Sequence, residues 1–175
     1  MEGYLLLNWE DVEVASFPTA INLQVIKLYS LKFANEKQLK GVLQLLQKSP
    51  NLCELDITGT CSDDDIEDEH REDNDIEDEH LEAASRLLKG PESCIINQNL
   101  KMLKIIKIEL FCGFTIEMLF VKMLLSKSPI LERVVITESY YIKDSYTVIK
   151  FLKELVCFPR ASPKAQIVIK GKDYA

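Results

Sequence analysis

Asn22-Leu23-Gln24-Val25-Ile26-Lys27-Leu28 leads through a helical stretch to Leu45-Leu46-Gln47-Lys48-Ser49-Pro50-Asn51-Leu52-Cys53-Glu54-Leu55-Asp56-Ile57. The same order of segments then returns. Asn99-Leu100-Lys101-Met102-Leu103-Lys104-Ile105 runs through a second helical stretch to Leu124-Leu125-Ser126-Lys127-Ser128-Pro129-Ile130-Leu131-Glu132-Arg133-Val134-Val135-Ile136. A strand-helix-strand unit repeated in this way cannot bury its apolar side alone, so a stacked array is expected in which each unit covers its neighbour. Arrays present surfaces, which favours binding over catalysis.

Four strand-like segments share an apolar first, fourth and sixth residue: Leu23, Ile26, Leu28; Leu52, Leu55, Ile57; Leu100, Leu103, Ile105; and Leu131, Val134, Ile136. Leu-x-x-Leu-x-Leu is the core pattern of a leucine-rich repeat, whose fourth and sixth residues turn inward from a short strand of period two. Successive first residues are 29, 48 and 31 apart, and 34 more reach Ala165, which opens an expected fifth strand, Ala165 to Lys170. The long interval contains the acidic block Asp63 to Glu82, and setting those 20 residues aside leaves 28. One insertion thus restores the period.

Helix signals fill the gaps. Leu39, Val42, Leu43 and Leu46 fall at helical spacing after Asn35, a cap with Gln38 three residues on. Ile116, Leu119, Phe120 and Met123 do so after Thr115, and Val148, Phe151, Leu152 and Leu155 after Asp144. Leu81, Ala84 and Leu88 indicate one more, closed by Gly90-Pro91. Ser49-Pro50 and Ser128-Pro129 end their helices because the residue before proline is pushed out of the helical region. The expected fold is an α/β leucine-rich-repeat solenoid of about four to five repeats, with parallel strands on one side and helices on the other, since parallel neighbours need a crossover. Residues 1–96 form the repeat region, with the acidic insertion at 62–82, and residues 97–175 continue the stack.

A chain of 175 residues, 47% hydrophobic and 28% charged, has enough apolar material for one continuous core. No apolar run has membrane-spanning length, since Ile116 to Leu125 is interrupted by Glu117 and Lys122. Tyr4 to Leu7, followed by Trp9-Glu10-Asp11, is too short for a secretory signal. Cys53, Cys61, Cys94, Cys112 and Cys157 are odd in number and scattered, and are expected as reduced thiols of a cytoplasmic or nuclear protein.

The net charge of −7 hides a division. Asp63 to Glu82 holds 13 acidic residues and a single base, Arg71, so the rest of the chain is mildly basic. The block is a tandem duplication, Asp65-Ile66-Glu67-Asp68-Glu69-His70 recurring as Asp75-Ile76-Glu77-Asp78-Glu79-His80. A solvated loop or an extension of the neighbouring helix fits this density of like charge; weak, unselective cation binding, and docking onto a basic partner or back onto the protein's own lysines, are further readings. Each copy contains Glu-x-x-His, Glu67 with His70 and Glu77 with His80, the spacing by which di-iron bundles ligate metal. Such bundles place the two motifs on facing helices, whereas here they are ten residues apart in one segment. Nor is there a calcium loop, because the central glycine and terminal glutamate after Asp63, Asp65 and Glu67 are missing.

The two histidines both lie in the acidic block, so a Ser-His or Cys-His pair would need a base held there. Gly171-Lys172-Asp173 lacks a phosphate-loop frame, and the lysines Lys101, Lys104, Lys107, Lys122, Lys143, Lys150 and Lys153 form no aromatic-interleaved stripe. No enzyme activity, cofactor, metal, nucleic acid or membrane partner is expected.

Within the second half, Asn99 to Ile105, Glu117 to Leu125, Ser128-Pro129-Ile130-Leu131-Glu132-Arg133 and Phe158-Pro159-Arg160-Ala161-Ser162-Pro163-Lys164-Ala165-Gln166-Ile167-Val168-Ile169 together resemble the FBD domain. That domain closes many plant F-box proteins of the F-box/FBD/leucine-rich-repeat group. The likeness runs from about Asn97 to Lys170, and Asn22 to Ile57 resembles the repeats upstream of it. The resemblance implies the substrate-recognition half of an SCF-type ubiquitin ligase subunit, whose client is a protein and whose transferase chemistry belongs to other subunits. No F-box-like segment is expected before the repeats, so adaptor binding is not expected either. A general leucine-rich-repeat binding protein, or a truncated product unrelated to ubiquitination, is the alternative. A metal-dependent enzyme built on the duplicated Glu-x-x-His is a third reading, requiring tight metal lost when His70 and His80 are replaced.

Strand alternation names the expected recognition surface, the third, fifth and seventh residues of each frame. These are Val25, Lys27, Tyr29; Glu54, Asp56, Thr58; Met102, Lys104, Ile106; and Arg133, Val135, Thr137. Lys27, Tyr29, Glu54, Asp56, Thr58, Lys104, Arg133 and Thr137 are the candidate protein-binding residues: Tyr29 and Arg133 as anchors, the rest as a patterned charged face. Cross-strand pairing of those same charges is the competing account.

Overall fold

Ile26 and Leu28, Leu55 and Ile57, Ile106 and Ile108, Val134 and Ile136 form four inward pairs, each residue at most 1% exposed. They organise a six-stranded, wholly parallel sheet: β1 Gly3–Asn8, β2 Leu23–Leu31, β3 Glu54–Gly59, β4 Ile105–Phe111, β5 Arg133–Glu138 and β6 Gln166–Lys170. Strand order in space follows order in sequence. The computed structural model describes residues 3–9, 22–60, 75–89, 96–142 and 144–171, with backbone only at 75–81. Among them are four helices: α1 Glu36–Gln47, α2 Asp75–Lys89, α3 Thr115–Lys127 and α4 Ser145–Cys157. The described part of the chain is therefore α/β. None of these helices is long and apolar enough to cross a membrane.

The helices cover the sheet face that carries the inward pairs. Leu39, Val42, Leu43 and Leu46 of α1, Phe120 of α3, and Phe151 and Leu155 of α4 are nearly inaccessible, as helical spacing predicted, while Leu119, Val148 and Leu152 of the same predicted stripes are half-buried. Phe33 meets Phe120, and Phe111 meets Phe151, edge to face at 5.3 Å, tying loop to helix and sheet to helix. Asn35 caps α1, its side-chain oxygen accepting from the Gln38 N–H at 3.1 Å. Gln38 reaches past the cap and accepts instead from the Lys32 N–H at 2.8 Å. At the head of α3 the buried Glu117 carboxylate accepts from the N–H groups of Phe114 at 2.9 Å and Cys112 at 3.2 Å.

One turn recurs before the strands. The N–H of Leu52 donates to the Ser49 carbonyl, Leu103 to Leu100, Leu131 to Ser128 and Ala165 to Ser162, all at 3.2–3.3 Å. This turn makes Leu103, not Leu100, the counterpart of Leu52 and Leu131, and it moves the third frame by three residues. Its true members are Leu103, Ile106 and Ile108. The expected strand across Leu100 to Ile105 is thus corrected to β4, Ile105–Phe111. Sequence spacing could not separate the two frames, because Leu100-x-x-Leu103-x-Ile105 and Leu103-x-x-Ile106-x-Ile108 are both apolar in the right places. Pairing decides: Ile106 stands beside Leu55 and Ile108 beside Ile57.

A second device repeats on alternate strands. Ser30 and Leu110 both have φ of 58°, each two residues past the last inward residue of its frame. The pairing register slips at both places, and Leu31 and Phe111 then turn fully inward. A bulge allows this because inward residues three apart cannot share a face of an unbroken strand.

Three further outcomes bear on the sequence reading. β1 is a strand the repeat frame did not anticipate, paired to β2 from Gly3 to Asn8. The second copy of the acidic duplication, Asp75 to His80, has helical backbone as the start of α2, while Asp65 to His70 lies outside the described residues. Cys53 and Cys157 are free thiols, but Cys112 is disulfide-bonded, which corrects the expectation of a thiol there. Five scattered cysteines with no close-paired spacing gave no sign of it in the sequence. Cys61 and Cys94 lie outside the described residues.

Candidate protein-binding face

Opposite the helices the sheet presents its other face, built by alternate residues of every strand. Across β1 to β6 these include Tyr4 and Leu6; Val25, Lys27 and Tyr29; Glu54, Asp56 and Thr58; Ile105, Lys107 and Glu109; Arg133, Val135 and Thr137; and Val168 and Lys170. All are exposed or half-buried, against the near-zero exposure of the inward pairs. No described helix lies over them.

Seven of the eight candidate residues stand where strand alternation put them: Lys27, Tyr29, Glu54, Asp56, Thr58, Arg133 and Thr137. Lys104 does not. It precedes β4, where its N–H donates to the Cys53 carbonyl and its own carbonyl accepts from Glu132 and Arg133. Met102 likewise lies before the strand, and Ile106 is 1% exposed in the core rather than on the open face. An odd shift in register exchanges the two faces, so the third strand's outward set becomes Ile105, Lys107 and Glu109. The overlooked signal was the second apolar frame, Leu103-x-x-Ile106-x-Ile108.

The face is electrostatically uneven. Toward β1 the charges pair with one another: Lys27 Nζ lies 3.8 Å from Asp56 Oδ2, and Lys107 Nζ lies 2.7 Å from Glu54 Oε1. Lys27 also approaches the ring of Tyr4, with 5.8 Å to the centroid. Tyr4, through its charge and a side-chain hydrogen bond, raises the Lys27 pKa above the ordinary lysine value against a small burial effect, with Asp56 and Tyr29 adding to the rise. Around these pairs stand exposed apolar groups, Tyr4 at 54%, Leu6 at 55% and Tyr29 at 39%. Toward β6 the balance differs, since among the described residues Arg133, Lys170 and Glu109 form no ion pair.

Among the described residues no three His, Cys, Asp or Glu side chains converge as a metal site. The face offers exposed aromatic and aliphatic area, two ion pairs and, toward β6, the cations Arg133 and Lys170.

Comparison with known proteins gives one informative likeness. The chain is 29% identical over 150 residues to an F-box/FBD/LRR-repeat protein of Arabidopsis thaliana, a match covering 86% of this chain and 32% of that protein. The chain thus spans about a third of the length of the curated relative it matches. No family model matches the sequence, and no solved structure matches the fold.

Proposed function

We propose that this chain is a protein-interaction module, an α/β leucine-rich-repeat solenoid whose open sheet face holds a client protein. We further propose that it corresponds to the substrate-selecting part of an SCF-type ubiquitin ligase subunit, acting in the cytoplasm or nucleus. The carrying observation is the two-sidedness of the sheet, with inward pairs at most 1% exposed and the other face lined by Tyr29, Arg133 and patterned charge. Burial on one side fixes the strands rigidly, so the opposite side becomes a preformed platform that loses little entropy on binding. The recurring turn at Leu52, Leu103, Leu131 and Ala165 supports the solenoid, and the name of the Arabidopsis relative supports the family role. Adaptor binding would need an F-box.

Affinity capture from plant extract tests this reading, using the chain, the combined Lys27→Glu, Asp56→Lys, Arg133→Glu variant, and a fusion carrying an F-box. Clients that disappear with the charge reversals, and cullin subunits that arrive only with the fusion, are the expected result. A client set identical for native chain and variant would remove the open face from the account. Absence of cullin subunits from the fusion would leave the general binding reading in place of the ligase role.

A further inference from the structure

The open face is not uniform from β4 to β6. There the side chains enclose a shallow depression of about 370 Å³, floored by Ile105, Val135 and Val168 and bordered by Lys107, Arg133 and Lys170. Lys107 is engaged by Glu54. Arg133 and Lys170 have no ion-pair partner among the described residues, and the described lining sets these two cations against the carboxylate of Glu109. Such a cationic, apolar-floored surface is complementary to an acidic segment.

We propose that this depression holds an extended acidic segment of the client, bearing two carboxylate side chains four residues apart with an apolar residue midway between them. The inference rests on the open face being the recognition surface and adds the chemistry of what is recognised. The spacing follows from register. Arg133 pairs with Gln166 and Thr137 with Lys170, so the two cations lie four residues apart along the strands and one strand apart across them. That separation is roughly 13–14 Å from backbone to backbone, close to the roughly 13 Å span of four residues of extended peptide. Alternation places the first, third and fifth side chains of such a peptide on one side. The outer two meet Arg133 and Lys170, and the middle one meets the Val135–Val168 pair on the floor. Glu109, at the same end of the sheet as Lys170 but two strands away, repels a carboxylate on the β4 side and so favours the β6 side.

A nuclear magnetic resonance titration of the whole chain tests this with the capped peptide Glu-Thr-Val-Thr-Glu. Controls are the same peptide with lysine for glutamate and one with the two glutamates adjacent to valine. Expected are shifts at the Val135 and Val168 amides with the first peptide alone. The R133E/K170E double variant should weaken binding roughly tenfold, as two exposed charge contacts imply. The E109Q variant should tighten it, and K153E on the helix side should leave it unchanged. Equal binding of the lysine peptide, indifference to glutamate spacing, or equal binding by the double variant would each overturn the proposal. All the charge changes are at exposed residues, and the amide spectrum itself reports the fold. Client capture that needs Lys27 and Asp56 but ignores R133E/K170E removes the acidic segment and keeps the platform. Capture blind to both ends removes both.

Discussion

Lys107 reaches diagonally to Glu54, 2.7 Å away on β3, although Asp56 is its neighbour in register. Asp56 is instead approached by Lys27 from the other side, at 3.8 Å. Four charges on three strands are thereby arranged as two pairs, and β2, β3 and β4 are linked across the open face. Both pairs are partly exposed, so each contributes little: a cycle of Lys107→Met, Glu54→Gln and the double variant should give a coupling of about 0.2–1 kcal/mol. Urea unfolding measures it. A coupling well above that range would mean the face is far better shielded from water than its exposure implies.

Gly41 lies inside α1 where alanine would ordinarily favour the helix by about 1 kcal/mol. Here a Cβ would come within 2.7 Å of Cη2 of Trp9, itself 2% exposed. Overpacking of a buried ring costs about 1–3 kcal/mol, which outweighs the propensity gain. Gly41→Ala should therefore destabilise the protein and alter the tryptophan fluorescence. A stabilised variant with an unchanged spectrum would show that Trp9 moves aside without cost.

Glu117 is 4% exposed and gathers two backbone N–H groups at the start of α3. Glu117→Ala leaves those donors without their acceptor and should cost about 1–3 kcal/mol in denaturant unfolding. Glu117→Gln keeps one acceptor oxygen and loses the charge that favours a helix N-terminus, so an intermediate loss is expected. If both variants unfold like the native chain, the carboxylate is not what holds this turn.

Tyr4 raises the Lys27 pKa, so the folded state favours the charged ammonium. A raised pKa contributes stability that is complete below the ordinary lysine value and lost as the pH climbs through the raised one. Native chain and Lys27→Met should therefore differ at neutral pH and converge in strong alkali, when each is followed by urea unfolding. A difference that persists undiminished in strong alkali, where the ammonium is gone, would remove the Lys27 charge as its cause.

Much of the molecule was written in its apolar spacing. Leu23, Ile26 and Leu28, then Leu52, Leu55 and Ile57, then Leu131, Val134 and Ile136 announced three strands, and Leu39 to Leu46 announced a helix, because one-sided burial imposes a period that sequence records directly. Seven of eight candidate residues followed from that period alone. β1 escaped because its run Tyr4-Leu5-Leu6-Leu7 is apolar on both faces and shows no alternation.

The sequence by itself determined that strands and helices alternate in a repeating order and which side of most strands is buried. Only the tertiary structure decided which of two overlapping frames forms β4. Hydrogen bonds from Lys104 and Ile105 to the Cys53 carbonyl, and the pairing of Ile106 with Leu55, set its register against β3. Such pairing is a property of two segments far apart in the chain, and a three-residue change in it exchanges the faces of the strand. That exchange put Lys107 and Glu109 on the open face and took Lys104 off it.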